Sequence, residues 1–164
     1  MVRPKTDGRR EIDQAGDQTG ALAELLQAGK RIVRILSDAL EPAIFDTEAV
    51  ATEISRIARN GRQCEVRILL KDSLNLSKRR HRLGALHRRL ESNVQIRKLT
   101  EFPEHFIANY ALVDDGGVFF MPMDDDKSCF VNAEDRPLAR HLTEQFDELW
   151  SRSAQDPELR VMPL

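Results

Sequence analysis

The feature that most constrains the fold of this chain is a regular alternation of short apolar runs with longer helical patterns. Three runs, RIVRILSD, CEVRILLKD and VQIRKL, have the length and the β-branched content of strands. Between them lie DTEAVATEISRIARNG and LSKRRHRLGALHRRLES, where apolar residues recur every three to four positions, as in amphipathic helices. This order predicts parallel strands joined by right-handed crossovers.

The second half of the chain adds antiparallel strands and a further helix. HFIANYALVDDGGVFFMPM is typical of a β-hairpin that turns at DDGG, and SCFVN is a candidate last strand. EDRPLARHLTEQFDELWSRS has the apolar spacing of a helix. The predicted fold class is therefore α/β, a mixed sheet with helices on both faces. We predict a disordered leader at 1–17, a folded domain at 18–152 and a C-terminal tail at 153–164.

Composition limits the classes of function. The net charge of -2 over 164 residues gives no overall attraction to nucleic acid or membranes, so any such attraction must be local. The N-terminal MVRPKTDGRREIDQ lacks the apolar stretch of a secretory signal, and no apolar run reaches the ~18 residues of a membrane span. We expect a cytoplasmic protein without a cofactor or a metal. Cys64 and Cys129 are predicted to be buried and reduced, because their spacing fits no metal site.

The longest stretch with a familiar order of elements is VRILSDALEPAIFDTEAVATEISRIARNGRQCEVRILLKD. It joins a strand, a polar turn, a helix opened by an acidic residue, and a VRIL strand. This run resembles the opening half of a phospholipase D-like domain, and LARHLTEQFDELW is similar to the last helix of such domains. The resemblance covers about residues 20–152. It implies a phospholipase D-like half from a bacterial branch of the superfamily.

The resemblance also implies where a catalytic site would lie. Enzymes of this superfamily carry a His-x-Lys-x4-Asp motif on a strand ahead of a hairpin. The histidine attacks phosphorus, the lysine stabilises the phosphate oxygens, and the aspartate orients an imidazole. Two such motifs must meet for catalysis, so a chain with one motif is implied to form a homodimer.

The motif is not intact in the stretch FIANYALVDDGG. With Asp114 in the aspartate position, Ile107 stands at the nucleophile position and Asn109 at the lysine position. Isoleucine has no nucleophilic atom, and asparagine has no positive charge for phosphate. If His105 is taken as the nucleophile, Ile107 falls at the lysine position and Leu112 at the aspartate position. The sequence therefore favours a protein that has lost its catalytic residues and is not an enzyme.

Three groups of side chains have structural interpretations beside the catalytic one. His105 fits a partly exposed histidine at the start of a strand and is a weak candidate nucleophile. Asp114 and Asp115 precede Gly116, a composition that tight turns prefer, so we interpret them as turn residues, with a relic acid or a metal ligand as the alternative. The acidic run 124–126 is interpreted as a solvated loop, because it lacks the glycine and distal glutamate of an EF-hand.

One segment is strongly basic. From Lys71 to Lys98 the chain has nine Lys or Arg and two acids, so its formal charge is 9 - 2 = +7. Part of it borders the crevice that forms beyond the carboxyl ends of parallel strands. The resemblance implies that phosphate binds in this region, and lysine and arginine side chains suit phosphate oxygens. The anion-binding candidates are Lys71, Lys78, Arg79 and Arg80, and the alternative is a solvated face or one that pairs with an acidic surface.

Three hypotheses of function follow. The first is a non-catalytic module that binds a phosphate-containing or other anionic ligand. The second is a phosphodiesterase or phosphatidyltransferase with a rearranged site that uses His105 or His81. The third is a nucleic-acid-binding protein that contacts the backbone of a duplex, because the basic segment contains no aromatic residue for stacking. A homodimer is expected, with Phe119, Phe120, Met121 and Met123 as candidate contact or core residues.

Overall fold

The computed structural model describes residues 8–73, 76, 81–99, 108–123 and 128–154. In these residues seven strands form one sheet. The strands are β1 (Arg9–Ile12), β2 (Ile32–Ser37), β3 (Glu65–Leu70), β4 (Val94–Lys98), β5 (Ala108–Val113), β6 (Gly117–Pro122) and β7 (Cys129–Asn132). Their order in the sheet is β1-β7-β6-β5-β2-β3-β4. β2, β3 and β4 are parallel, and the other neighbours are antiparallel. The predicted mixed sheet is confirmed.

Helices cover both faces of this sheet, as predicted. They are α1 (Ala15–Gln27), α2 (Pro42–Phe45), α3 (Glu48–Ala58), α4 (Arg82–Arg89) and α5 (Arg136–Ser151). The first four pack on one face and share one apolar core with it. α5 packs on the opposite face and forms a second core.

The alternation of side chains along each strand divides the two cores. In β2, Val33 and Ile35 point into the core under α1 and α3, whereas Leu36 points toward α5. In β3, Ile68 and Leu69 are divided in the same way. Because both faces are apolar, these strands read as nearly continuous hydrophobic runs, which is typical of a sheet covered on two sides.

Arginine side chains continue the cover beyond α5. The guanidinium groups of Arg67 and Arg97 lie over the ring of Trp150, at 5.3 and 4.3 Å from its centroid. Arg97 also donates a hydrogen bond to the Trp150 carbonyl at 3.2 Å. The apolar stems of these side chains shield the sheet, and the guanidinium of Arg67 also pairs with Glu65 at 3.1 Å. Among the described helices, α5 is the one on this face, and with these arginine side chains it covers the second core.

Residues 9–17 differ from the expected disordered leader. Residues Arg9–Ile12 form the edge strand β1, which pairs with β7, and α1 begins at Ala15. The segment is polar because an edge strand is exposed, and charged edge residues also discourage pairing with other chains. At the other end, Ala154 pairs with Lys98. Residues 1–7 and 155–164 lie outside the described residues, and the limits 18–152 of the domain stay a prediction.

Candidate functional site

The crevice expected from the sequence would lie at the carboxyl ends of the parallel strands. The loops that follow β2 and β3 are side by side, because the N–H of Lys71 donates to the Ser37 carbonyl at 3.2 Å. The N–H of Asp72 donates to the Asp38 carbonyl at 2.7 Å. Ser37 is buried, whereas Lys71 is exposed. The two loops are therefore adjacent at this end of the sheet.

Buried polar side chains concentrate around the loop that follows β2. Ser37, Ser73, His81 and Asn109 are among the six buried polar or charged residues of the described part of the chain. Ser37 Oγ accepts a hydrogen bond from the N–H of Leu40 at 2.9 Å. Leu40 has a φ of 51°, in a region that residues with a β-carbon rarely adopt. The serine therefore supports a strained turn at the crevice.

Asn109, assigned from the sequence to the lysine position of the motif, holds this loop. It lies near the start of β5, beside the end of β2, and is 6% exposed. Its Oδ1 accepts a hydrogen bond from the N–H of Asp38 at 2.8 Å, and its Nδ2 donates to the sulfur of Met123 at 3.5 Å. Both ends of the amide are thus used within the protein. The side chain links three segments and brings no positive charge to the crevice.

Asp114 lies at the other end of β5 and has a structural role. Its carboxylate accepts hydrogen bonds from the N–H groups of Lys30, Arg31 and Ile32 at 2.9, 2.9 and 3.0 Å. Its φ is 53°, as the hairpin turn requires. Five residues of extended strand, about 16 Å, separate it from Asn109. The turn interpretation is confirmed, and the aspartate does not orient an imidazole of the described residues.

His81 does not fit the nucleophile role considered for it. It is 1% exposed, and its Nδ1 accepts a hydrogen bond from the N–H of Leu83 at 3.1 Å, which caps α4. Its Nε2 has no hydrogen-bond partner in the described part of the chain. The nearby Leu40 backbone acts to raise the pKa of the ring, but burial has the larger effect. Burial lowers the pKa of His81 despite the nearby carboxylate of Asp46. The ring is therefore buried in the core and neutral at pH 7.

Asp46 already occupies the start of α4. Its carboxylate accepts hydrogen bonds from the N–H and the guanidinium of Arg82, at 3.0 and 3.2 Å. Burial acts against ionisation of Asp46. The hydrogen bond from the Arg82 backbone and the proximity of His81 outweigh it, so the pKa is lowered. Since an anion of the protein itself fills this helix end, a ligand phosphate would have to displace it.

Acidification should destabilise the fold through His81. Its pKa in the folded chain lies below the ordinary 6.5, so the unfolded chain binds more protons at and below that pH. The stability contribution is complete above pH 6.5 and falls as the pH is lowered. Each pH unit costs at most about 1.4 kcal/mol. Urea unfolding between pH 7.5 and 5, the range in which histidine titrates, measures the slope.

Two asparagine variants separate this effect from general acid sensitivity. His81→Asn keeps an acceptor that caps α4, and it should flatten the slope of stability against pH. His141→Asn changes an exposed histidine of α5 and should leave the slope as it is. An equal slope in the wild type and in His81→Asn would show that His81 is not the group responsible.

The two cysteines are buried and free, as predicted. Burial raises the pKa of Cys129 to about 11, so this residue is a thiol at neutral pH and not a nucleophile. The described residues contain no group of three or more side chains suited to hold a metal. None of the described helices is both long and apolar enough to cross a membrane.

Several predicted site residues lie outside the described part of the chain. These are Lys78, Arg79, Arg80, His105, Ile107 and the acidic run 124–126. Of the four anion-binding candidates, Lys71 is described. Among the apolar residues considered as a dimer contact, Phe119 is buried and Met123 is 46% exposed. Phe120 and Met121 are half-buried.

The linking role of Asn109 was missed from the sequence. The signal was an amide within the otherwise apolar strand ANYALV, every residue of which is buried. Buried amides need hydrogen-bond partners, so such a residue points to a contact outside the sheet. The identity of the partners, Asp38 and Met123, could not be read from the pattern.

Solved structures with the same fold include three at low sequence identity. TrmBL2, an archaeal chromatin protein that binds DNA, is 16% identical with a TM-score of 0.68, over 94% of this chain and 56% of that chain. NucT from Helicobacter pylori is 13% identical with a TM-score of 0.67, over 90% and 98%. Nuc from Salmonella typhimurium, a phospholipase D family member, is 17% identical with a TM-score of 0.54, over 82% and 88%. These likenesses show the phospholipase D-like fold expected from the sequence.

Sequence comparison adds a family. No curated protein matches the chain. One family model, described as Domain of unknown function (DUF7931), matches residues 14–162, which includes every strand except β1 and all five helices named above. The chain therefore belongs to the DUF7931 family and has the phospholipase D-like fold.

Proposed function

We propose that this protein is a non-catalytic module of the phospholipase D-like fold that acts by binding a phosphate-bearing ligand. Asn109 is the observation that carries the proposal. Phosphoryl transfer needs a positive charge on the phosphate oxygens. At the lysine position this chain has an amide that is buried and hydrogen-bonded to Asp38 and Met123. The crevice has kept its loops and lost the group that would stabilise a transferred phosphate.

The remaining nucleophile candidates do not offset this loss. Among the described histidines, His81 is buried in the core and His87 contacts the Val94 carbonyl through Nδ1 at 2.7 Å. His141 is exposed on α5, on the opposite face of the sheet from α4. An enzyme with a rearranged site would have to rely on His105, without a lysine in the register of the motif.

The binding half of the proposal rests on charge and on fold. Lys71 and Lys98 are exposed where β3 and β4 end, so two cations border the crevice. Lys78, Arg79 and Arg80, the other candidates from the sequence, lie outside the described residues. A structure with the same fold, TrmBL2, belongs to a protein that binds DNA. A homodimer stays a prediction.

An assay of phosphodiester hydrolysis tests the absence of catalysis. The purified protein is incubated with bis(p-nitrophenyl) phosphate and with plasmid DNA, with and without EDTA. Without a nucleophile and a cation on phosphate, we expect turnover equal to the buffer blank in every condition. A commercial phosphodiesterase run in parallel checks that the assay responds.

The matched variant is His105→Ala, which removes the candidate nucleophile of the second hypothesis. Turnover by the wild type that disappears in this variant would refute the proposal. So would a phosphorylated histidine trapped on the chain and identified by mass spectrometry.

A further inference from the structure

Four exposed cations lie in neighbouring loops at the end of the sheet where the parallel strands begin, opposite the expected crevice. Lys30 and Arg31 immediately precede β2, and Arg59 and Arg62 lie in the loop that leads to β3. These four residues are called the basic edge below. β2 and β3 are neighbours in the sheet, so the two loops are adjacent.

Hydrogen bonds fix the two loops of the basic edge to each other. Asn60 Nδ2 donates to the Lys30 carbonyl at 3.2 Å, and the N–H of Glu65 donates to the Arg31 carbonyl at 2.9 Å. The carboxylate of Asp114 holds the first loop from the side of the hairpin. Since the backbone is held at these points, the four charges sit on a rigid base.

The charges of the basic edge are not used inside the protein. Within the described part of the chain none of its four side chains is in an ion pair. The nearby acids are engaged elsewhere: Asp114 with backbone N–H groups, Glu53 with Arg56, and Glu65 with Arg67.

The carbonyls at the end of α1 are also engaged by another cation. Arg56 donates to the carbonyls of Leu26, Gln27 and Gly29 at 2.9, 3.3 and 3.1 Å. Arg56 therefore offsets the partial negative charge at the carboxyl end of α1, and the cations of the basic edge are not needed for it. In the flanking loops of the described part of the chain, the exposed acids at this end of the sheet are Glu91 before β4, Asp115 before β6 and Glu134 after β7, and Glu134 pairs with Arg136 at 2.7 Å.

We propose that the basic edge binds the phosphate backbone of double-stranded nucleic acid. Neighbouring strands are about 4.8 Å apart, and a duplex carries one negative charge per about 1.7 Å of its axis. Cations on two neighbouring loops can therefore contact several phosphates of one duplex. Three of the four are arginines, whose planar fork matches phosphate oxygens. Neither loop contains an aromatic residue for base stacking, so binding is to the backbone and independent of sequence.

This inference goes beyond the proposed function. The basic edge and the crevice lie at opposite ends of the strands, and binding at the basic edge requires nothing of Asn109 or Lys71. Each can therefore fail without the other. With a net charge of -2, the chain as a whole does not attract nucleic acid. Any attraction must therefore come from a local cluster of cations such as the basic edge.

Fluorescence anisotropy with a labelled duplex of mixed sequence tests the inference on the full chain. Four phosphate contacts predict that the wild-type affinity falls on the order of 100-fold between 50 and 200 mM salt. The variant Lys30→Gln/Arg31→Gln/Arg59→Gln/Arg62→Gln should bind at least about ten times more weakly at 50 mM salt and lose most of the salt dependence. Its side chains are exposed, so circular dichroism should show an intact fold.

The control variant has the same change in charge at other exposed sites. Arg10, Arg136, Arg140 and Arg152 each form an ion pair on the surface. Their joint replacement by glutamine should leave DNA binding close to the wild type.

Four outcomes would overturn the inference. These are no binding at 50 mM salt, an equal loss in the control variant, a loss in Lys71→Gln but not in the basic-edge variant, and competition by polyglutamate as effective as that by unlabelled duplex. The third outcome would assign binding to the crevice, and the fourth would assign the surface to an acidic protein.

Discussion

Asp114→Asn is expected to lower the free energy of unfolding by about 3 kcal/mol. The carboxylate accepts three backbone hydrogen bonds, from Lys30, Arg31 and Ile32, and bonds to a charged acceptor are the stronger kind. An asparagine amide has one acceptor oxygen, and its NH₂ group would face a backbone donor. Asparagine tolerates the positive φ of 53°, so the change isolates the hydrogen bonds from backbone strain.

The measurement is urea unfolding of the variant beside the wild type and a control. Asp115→Asn changes the neighbouring acid, which is exposed in the same turn, and should shift stability by less than about 0.5 kcal/mol. If the two variants are equally stable, Asp114 is an ordinary turn residue and does not anchor β2.

Asn109→Lys, which restores the lysine of the motif, is expected to destabilise the protein by about 3 kcal/mol or more. The position is 6% exposed, so the ammonium group would be buried without a partner carboxylate among the contacts of Asn109. The N–H of Asp38 would also lose its acceptor. We expect no hydrolysis of bis(p-nitrophenyl) phosphate, because the loop after β2 is held by the amide that the variant removes.

Ser128→Lys is the matched control, because it introduces the same charge at an exposed residue immediately before β7 that makes no contact with Asn109. Its stability should stay within about 1 kcal/mol of the wild type. Thermal and urea unfolding of both variants provide the comparison. An Asn109→Lys protein with wild-type stability and measurable turnover would show that the crevice is still a catalytic frame that lacks only its cation.

Most of the fold could be predicted because its elements have local signatures. The strand at Ile32–Ser37 and the helix at Glu48–Ala58 were visible as a β-branched run and an amphipathic period. The pair of glycines after Asp114 and Asp115 indicated the hairpin turn. These signals arise from interactions within a few residues, so a single sequence contains them.

β1 could not be predicted for the opposite reason. Its four residues, Arg9–Ile12, form a strand only through pairing with β7, about 120 positions later. A polar edge strand that is exposed on most of its residues has no apolar period to reveal it. The same segment therefore looked like part of a leader.

The sequence by itself determined the α/β class and the hairpin. It also showed that no register of the His-x-Lys-x4-Asp motif around FIANYALVDDGG supplies both the histidine and the lysine. These depend on residue identity and on local period. Only the tertiary structure decided that Asn109 holds Asp38, that Asp114 anchors β2, and that two loops form one basic edge. Each of these rests on a hydrogen bond between residues 30 to 84 positions apart. Such contacts leave no local pattern, because they exist only once the strands are paired.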